Sequence, residues 1–311
     1  QLFLGIRLEC ARCHHHPFER WGQDDFYSFA AYFARVGRKG TGLSPPISGS
    51  EELFFSVGSG TVKHPRTGEV MSPRPLFGTA PAVDAEHDPR EALADWITSK
   101  SNPFFAQVMA NRVWADLMGR GLVEPVDDLR STNPPSNPEL LEALGRDFQE
   151  SGFDIKALIR RITSSHAYAL SSLPGPRNAQ DTRNHSRHYR QRLRAEVLLD
   201  AFSDITQVEE KFSAMPPGSL AKELWTHRIG SLFLDAFGRP DPNQDPPCER
   251  TGETTVVQSL HLMNSENLFR KVTDDGGRAA RLAASKASPA EIVEELYLVV
   301  YSRLPDKDER A

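Results

Sequence analysis

The chain has 311 residues, of which 39% are hydrophobic, 25% charged and 9% aromatic. These proportions are typical of a globular protein with one or two hydrophobic cores, and they exclude a disordered, collagenous or coiled-coil chain. No stretch approaches the roughly 18 consecutive apolar residues that span a bilayer. The 37 basic and 42 acidic residues give a net charge of −5. The composition therefore predicts neither a transmembrane segment nor a nucleic-acid partner.

The N-terminal residues 1–37 are predicted to be helical around a short interruption. Asp24 or Asp25 provides the N-cap of the main helix, and Gly37 follows where the helix should end. The apolar face of this helix has the spacing i, i+3, i+4, i+7, and it consists of Phe26, Phe29, Ala30 and Phe33. We expect this helix to contribute to a core.

Residues 38–88 are rich in Gly, Ser and Pro. Two short extended runs, 62–64 and 69–72, flank the segment Pro65-Arg66-Thr67-Gly68. Proline presets the first central position of a turn and glycine tolerates the closing one, so the pattern predicts a hairpin. The sequence therefore predicts a small β-hairpin and loop region near residues 50–75.

The rest of the chain is predicted to be a succession of helices with recognisable ends. Asp88, Asn102 and Asn137 each precede a proline, which is the arrangement favoured at a helix start. The predicted helices cover 88–100, 102–119, 137–152, 154–165, 187–210, 218–237, 255–270 and 289–302. The fold class is therefore mainly α. We expect two domains, a first over residues 1–80 and a multi-helix domain over residues 85–311.

One motif carries specific chemistry, the segment Cys10-Ala11-Arg12-Cys13-His14. This CxxCH spacing is typical of covalent attachment of a c-type haem, in which two thiols add to the two vinyl groups and the histidine binds the iron. Two cysteines three residues apart lie on the same side of a helical turn. The sequence thus predicts that Cys10 and Cys13 bind haem and that His14 is the proximal iron ligand.

A zinc site or a disulfide is the alternative interpretation of the same cysteines. Cys10, Cys13 and Cys248 with His15 or His16 would form a Cys₃His set, and His16 is the preferred fourth ligand. Cys248 precedes a predicted helix and is expected to be a buried or zinc-binding thiol rather than a nucleophile.

The second axial ligand of the haem iron is not marked by the sequence. Met71 and His64, both in the predicted hairpin region, are the two candidates, although each is also explained as a packing or solvent-facing residue. Four aromatic residues that follow the motif are expected to lower the dielectric constant around the haem: Phe18, Trp21, Phe26 and Phe29.

Two further polar groups are interpreted as structural. The first is expected to be an ion-pair network at a helix–loop junction and consists of Asn111, Arg112, Asp127, Asp128 and Arg130. The second is expected to be a solvated basic surface that could also meet acidic helices or an anionic polymer; it consists of Arg183, Arg187, Arg190, Arg192 and Arg194. His185 and His188 are expected to lie on the same surface.

Common enzyme motifs do not occur in the sequence. Neither a Walker A segment nor a GxGxxG loop is present, and GxSxG and HExxH are also missing. The sequence shows no acid–base constellation that would identify catalytic residues. It therefore does not predict an enzyme.

The residues around the motif resemble a known family. Residues 3–18 (FLGIRLECARCHHHPF), with Trp21 and the aromatic helix after it, resemble the C-terminal end of the planctomycete cytochrome-associated domain of unknown function. The remainder resembles the second planctomycete domain of unknown function that usually follows it. The segments that carry this second resemblance are NPF at 102–104, NRVW at 111–114, GRGLV at 119–123, DD at 127–128, NPPSNP at 133–138, GFD at 152–154, RLRAE at 192–196, CER at 248–250 and QSL at 258–260.

The resemblance implies an extracytoplasmic bacterial protein, either periplasmic or secreted, and it adds support for covalent haem. The sequence as a whole predicts a protein that binds c-type haem and takes part in electron transfer with an unidentified redox or protein partner. The alternative is a binding or scaffold protein that zinc or a disulfide stabilises and that has no redox activity.

Overall fold

The computed structural model describes residues 1–40, 52–79, 81–83, 86–213, 215–226, 229–240 and 254–310. The fold is mainly α-helical with two small antiparallel hairpins, as the sequence predicts. The chain forms two compact units, Gln1–Gln191 and Arg192–Ala311. The predicted domain boundary between residues 80 and 85 rests on composition and stays a prediction. Among the described residues, no helix has both the length and the apolar character needed to cross a bilayer.

The first unit contains five helices and two hairpins in its described part. In chain order they are α1 (Gln23–Ala30), β1 (Val36–Gly40), β2 (Glu52–Ser56), β3 (Val62–Lys63), β4 (Val70–Met71), α2 (Pro89–Ile97), α3 (Pro103–Met118), α4 (Pro138–Glu150) and α5 (Ile155–Thr163). Helices α3, α4 and α5 pack together around a core that includes Trp114, Phe148 and Ile162. A second core joins the N-terminal residues to α2 through Ala11, Trp21, Tyr32, Leu93 and Trp96.

Helix starts in this unit follow the sequence prediction closely. The side chains of Asp88, Asn102, Asn137 and Asp154 each accept a hydrogen bond from a backbone N–H in the first turn of α2, α3, α4 and α5, respectively. These bonds satisfy N–H groups that have no partner within the helix, which is why such residues favour helix starts. Helix α3 ends at Gly119, whose φ of +80° is the left-handed conformation that glycine adopts readily.

The prediction for residues 1–37 is only partly correct. Residues 1–22 contain one 3₁₀ turn, Glu9–Arg12, and are otherwise not helical. The N-cap of α1 is Gly22 rather than Asp24 or Asp25, and the carboxylate of Asp25 accepts the Gly22 N–H at 2.9 Å. A 3₁₀ turn, Ala31–Phe33, follows α1 directly.

The hairpin predicted near residues 50–75 is confirmed. Strands β3 and β4 pair antiparallel, with Val62 opposite Met71 and Lys63 opposite Val70. Gly68 closes the turn at a φ of +75°. The neighbouring hairpin of β1 and β2, in which Val36 is opposite Ser56, was not predicted. Its first strand contains Gly37, which the sequence suggested as a helix terminator.

The second unit consists of short helices. They are α6 (Ala195–Thr206), α7 (Leu232–Ala236), α8 (Val256–Asn264), α9 (Glu266–Thr273), α10 (Arg278–Ala284) and α11 (Pro289–Tyr301). Its core joins α6, α7 and α9 and includes Leu199, Phe233, Leu234 and Leu268. Ser288 is the N-cap of α11 and forms the predicted capping box, because the side chains of Glu291 and Ser288 each accept the other's backbone N–H.

Three predicted helices of the second unit have wrong bounds. Helix 187–210 begins only at Ala195, and helix 218–237 reduces to the 3₁₀ turn Ala221–Glu223 and to α7. Predicted helix 255–270 divides at Ser265, which ends α8 and whose hydroxyl caps α9. Helix α10 was not predicted.

Candidate functional site

The CxxCH motif lies on an exposed turn whose inner face is anchored in a core. The 3₁₀ turn Glu9–Arg12 contains Cys10, and Cys13 follows directly as its C-cap. Ala11, between the two cysteines, is completely buried. Cys10 and Cys13 are free thiols and both are exposed. The turn therefore presents both sulfur atoms to solvent from a backbone that the buried alanine holds in place.

Helix α1 holds the same turn from the side. The side-chain amide of Gln23 donates to the carbonyl oxygens of Arg12, at 3.0 Å, and Cys13, at 3.1 Å. The Tyr27 hydroxyl donates to the carbonyl of Arg12 at 3.3 Å. Because Gln23 and Tyr27 are four residues apart, they lie on one face of the helix. One face of α1 thus restrains the backbone of the motif while leaving the thiols free.

His14 is exposed, and one of its ring nitrogens has a defined partner. Its Nδ1 lies 2.5 Å from the carbonyl oxygen of His15. A carbonyl oxygen only accepts hydrogen bonds, so Nδ1 carries the proton and Nε2 carries the lone pair in the neutral ring. Metal-bound histidines commonly donate their other ring N–H to a backbone carbonyl in this way. His14 is therefore in the tautomer that ligation of a metal by Nε2 requires.

His16, the preferred fourth ligand of the alternative zinc site, is buried, and its ring already accepts a hydrogen bond. Its Nδ1 accepts the backbone N–H of Phe18 at 3.2 Å, and its own backbone N–H donates to the carbonyl of Trp21 at 2.8 Å. Binding zinc through Nε2 would require a proton on Nδ1 and the loss of the Phe18 bond. Cys248 lies outside the described residues. Within the described residues, no group of three or more His, Cys, Asp and Glu side chains is arranged to hold a metal ion.

His64, one of the two candidate distal ligands, is buried with both ring nitrogens engaged. Its Nδ1 accepts backbone N–H groups of Arg66, at 3.3 Å, and Thr67, at 3.2 Å. Its Nε2 lies 3.4 Å from a carboxylate oxygen of Asp24 on α1, and its ring contacts that of Tyr27. Ligation of iron by Nδ1 of His64 would break the two hydrogen bonds that this nitrogen accepts from backbone N–H groups of the hairpin turn. Ligation by Nε2 would displace the carboxylate of Asp24.

Met71, the other candidate distal ligand, is a partly buried residue of β4. Of the four aromatic residues expected around the haem, Trp21 is buried and Phe26 and Phe29 pack against the same core. Phe18 differs because 62% of it is exposed. The contribution of these residues to the haem environment stays a prediction.

The polar cluster after α3 is structural, as the sequence indicated. Asn111 is completely buried and uses its whole amide group: it donates to the carbonyls of Val123 and Val126 and accepts the N–H groups of Leu122 and Val123. Asp127 pairs with Arg7 at 3.4 Å. The chain between α3 and α4 is therefore held by hydrogen bonds to the buried side-chain amide of Asn111.

Asp128 and Arg130 form the shortest ion pair of this cluster, at 2.6 Å. Burial alone would raise the pKa of Asp128, but two hydrogen bonds of 2.6 Å from the Arg130 guanidinium lower it. Arg112 pairs in the same cluster with Asp127 at 3.3 Å. The carboxylates are held as ion-pair partners and not as an acid–base pair.

His185 was expected to lie on a solvated surface, but it is partly buried and hydrogen-bonded to a core residue. Its Nε2 accepts the indole N–H of Trp114 at 3.4 Å, and its ring contacts those of Trp114 and Tyr189. Burial lowers the pKa of His185, and nearby Arg120 and His188 lower it further against the opposing effect of Asp181. Trp114 is far away in the sequence, so no local pattern predicts that His185 is partly buried.

Comparison with known proteins assigns two family models to the chain. Residues 1–38 match PSCyt2, described as a protein of unknown function (DUF1549), and residues 89–311 match PSD1, described as a protein of unknown function (DUF1553). No curated protein and no solved structure matches the chain.

The two matched segments share one core in the first unit. Ala11 and Trp21 of the first segment pack in the same buried cluster as Leu93 and Trp96 of the second. The backbone N–H of Leu129 also donates to the carbonyl of Gly5 at 3.0 Å. The PSD1 match covers more than half of the chain, and the protein is therefore a member of the PSD1 (DUF1553) family, with residues 1–38 that match the PSCyt2 (DUF1549) model.

Proposed function

We propose that the protein binds a c-type haem covalently through Cys10 and Cys13, with His14 as the proximal iron ligand, and that it takes part in electron transfer. The observation that supports the proposal best is the tautomer of His14, which lies beside two free thiols. The Nδ1 proton is donated to the His15 carbonyl, so Nε2 is available for iron.

The donor set fits the chemistry of this cofactor. Thioether formation requires two accessible thiols, and both sulfur-bearing residues are exposed and unpaired. The buried Ala11 and the bonds from Gln23 and Tyr27 restrain the backbone to which they belong. A bound haem would supply one-electron redox chemistry, and the residues of the turn would hold and orient it. Met71 and His64 are the candidates for the distal position, and His64 would first have to give up its present partners.

The resemblance to the planctomycete cytochrome-associated domain supports a planctomycete origin and an association with cytochrome modules. It also supports a periplasmic or secreted location. The family models match domains of unknown function, so these points rest on the resemblance and on the CxxCH motif. The redox partner is a protein of unidentified class.

The test is expression in the periplasm of a bacterium that carries a c-type haem attachment system, followed by a pyridine haemochrome spectrum and metal analysis. We expect one covalently bound haem per chain in the wild type. The double variant Cys10→Ala/Cys13→Ala should contain no covalent haem, and His14→Ala should contain less haem with an altered spectrum.

The matched control is His15→Ala. This variant retains the backbone carbonyl that accepts the His14 proton, so we expect wild-type haem content. A colourless wild-type protein with one zinc ion per chain would overturn the proposal in favour of the zinc alternative. A colourless protein without metal, or covalent haem in the double cysteine variant, would overturn it as well.

A further inference from the structure

Two long loops of the first unit form a cleft, and the residues that line it are distant from the CxxCH turn in the sequence. One loop connects α3 to α4, and the other follows α5. A cavity of about 600 Å³ between them is lined by Arg120, Glu124, Arg187 and Arg190, among others. A second cavity, of about 240 Å³, shares Arg120 and Glu124 and adds Arg183. Together they form what we call the basic cleft, whose volume is that of small-molecule sites in proteins.

The charge of the basic cleft is strongly unbalanced. Its walls contain one carboxylate, that of Glu124, and four arginines: Arg120, Arg183, Arg187 and Arg190. Glu124 already accepts the backbone N–H of Gly121. Within the described residues, none of the four arginines forms an ion pair. Like charges held in one concave site repel each other unless an anion binds between them.

Two buried polar atoms in the basic cleft have no hydrogen-bond partner. They are Nε of Arg187 and the hydroxyl oxygen of Ser136. Buried polar groups are nearly always hydrogen-bonded, so these two atoms are available to bond an anion that enters the cleft. The guanidinium of Arg187 is positioned by the ring of Tyr189, 5.2 Å from its centroid. This ring contact leaves the N–H donors of Arg187 free for a ligand.

The loop that carries the arginines is held by its own hydrogen bonds. The carboxylate of Asp181 accepts the backbone N–H groups of Arg183, Asn184 and Ser186, and the Ser186 hydroxyl donates to it as well. The Tyr189 hydroxyl accepts the backbone N–H of His185 at 2.9 Å. Such bonds order the loop before a ligand arrives, which reduces the entropy that binding costs. Long ordered loops of this kind are commonly functional.

We propose that the basic cleft binds an organic phosphate or sulfate ester, with its anionic group against Arg120 and Arg187. Guanidinium groups match the oxygens of phosphate and sulfate with paired N–H donors, and they stay charged at all physiological pH values. The larger cavity has room for the organic part of the ester. The proposal is independent of the haem, because none of the residues involved belongs to the CxxCH turn.

The test is isothermal titration of the purified chain at low ionic strength with glucose 6-phosphate, glucose 6-sulfate, gluconate and glucose. We expect saturable binding of at least one ester, with a Kd of about 1 mM or below, and weaker binding as salt is added. The two ester arms decide whether phosphate or sulfate is the preferred group. Glucose should not bind, and gluconate should bind more weakly than the preferred ester.

Variants connect the binding to the basic cleft. Arg120→Gln/Arg187→Gln should weaken ester binding by about tenfold or more, because each change removes a charge-assisted donor. Arg183→Gln/Arg190→Gln changes two exposed residues, so it tests the cleft even if the first pair folds poorly, and severalfold weaker binding is expected. Arg160→Gln, on the exposed face of α5, is the control and should bind as the wild type does.

Three results would overturn the proposal. The first is no binding of either ester up to about 10 mM. The second is binding of glucose or gluconate as tight as that of the better ester. The third is unchanged ester binding in folded variants of both arginine pairs.

Discussion

The side-chain amide nitrogen of Gln23 lies 3.1 Å from the carbonyl oxygen of Cys13, and the same amide reaches the carbonyl of Arg12. The backbone bonds within the motif are longer, because the N–H groups of Cys13 and His14 both share the Cys10 carbonyl at 3.4 Å. The conformation of the motif therefore depends on α1 as much as on its own turn.

We expect Gln23→Ala to loosen the motif without unfolding the protein. The two lost bonds are exposed, so the free energy of unfolding should fall by about 1 kcal/mol or less. Amide hydrogen exchange of residues 10–14 should become faster, because the restraint on their backbone is removed. Gln149→Ala, which loses a single bond to the carbonyl of Ser99, is the control and should leave exchange at residues 10–14 unchanged. Equal exchange rates in Gln23→Ala and the wild type would show that α1 does not restrain the motif.

Asn111 is expected to be the most sensitive polar residue of the first unit. Replacement by alanine leaves two carbonyls and two N–H groups buried without their partner. The free energy of unfolding should fall by about 3 kcal/mol or more, measured by urea denaturation with tryptophan fluorescence.

The control for this prediction is Asn184→Ala. Asn184 is exposed, and its side chain makes one bond, to the carboxylate of Asp181 at 3.1 Å. We expect a loss of about 0.5 kcal/mol or less. A similar small loss in Asn111→Ala would mean that the chain between α3 and α4 does not depend on the buried amide.

The sequence predicts those parts of the fold that local chemistry determines. Asp88, Asn102 and Asn137 mark helix starts because their side chains bond to N–H groups two or three residues away. The predicted start of helix 187–210 is wrong because residues 187–191 contact residues of the first unit that are distant in the sequence. The amide of Gln191, for example, bonds to the carbonyl of Asp116. Contacts of this range leave no periodic signal in the sequence.

The same distinction applies to the sites. Cys10, Cys13 and His14 are recognised from their spacing alone. The bonds that support them from Gln23 and Tyr27, and the fixed tautomer of His14, depend on how the turn packs. The basic cleft combines two loops that α4 and α5 separate in the sequence. Three of its four arginines, Arg183, Arg187 and Arg190, are interpreted from the sequence as part of a solvated surface. Only the folded chain places Arg120 and Arg187 in the wall of one cavity.

His185 should make the first unit less stable in mild acid. Burial lowers its pKa in the folded chain below the ordinary value of about 6.5. Above that pH, the ring is neutral in both the folded and unfolded states, so it contributes no pH dependence. As the pH falls below about 6.5, the unfolded chain takes up a proton that the folded chain resists. The free energy of unfolding therefore decreases, by at most about 1.4 kcal/mol per pH unit.

The measurement is urea denaturation between about pH 7 and pH 5 for the wild type, His185→Gln and His166→Gln. The glutamine side chain introduced by His185→Gln has an oxygen that can accept the Trp114 N–H but cannot titrate, so we expect a smaller loss of stability on acidification than in the wild type. His166 is exposed, and His166→Gln should keep the wild-type pH dependence. The pKa values of Asp88 and Asp181 are lowered by hydrogen bonds, from Arg90 and Ser186 respectively, so their stabilising contribution is lost only at more acidic pH. If His185→Gln lost stability as steeply as the wild type over this range, a different group would have to be responsible for the acid sensitivity.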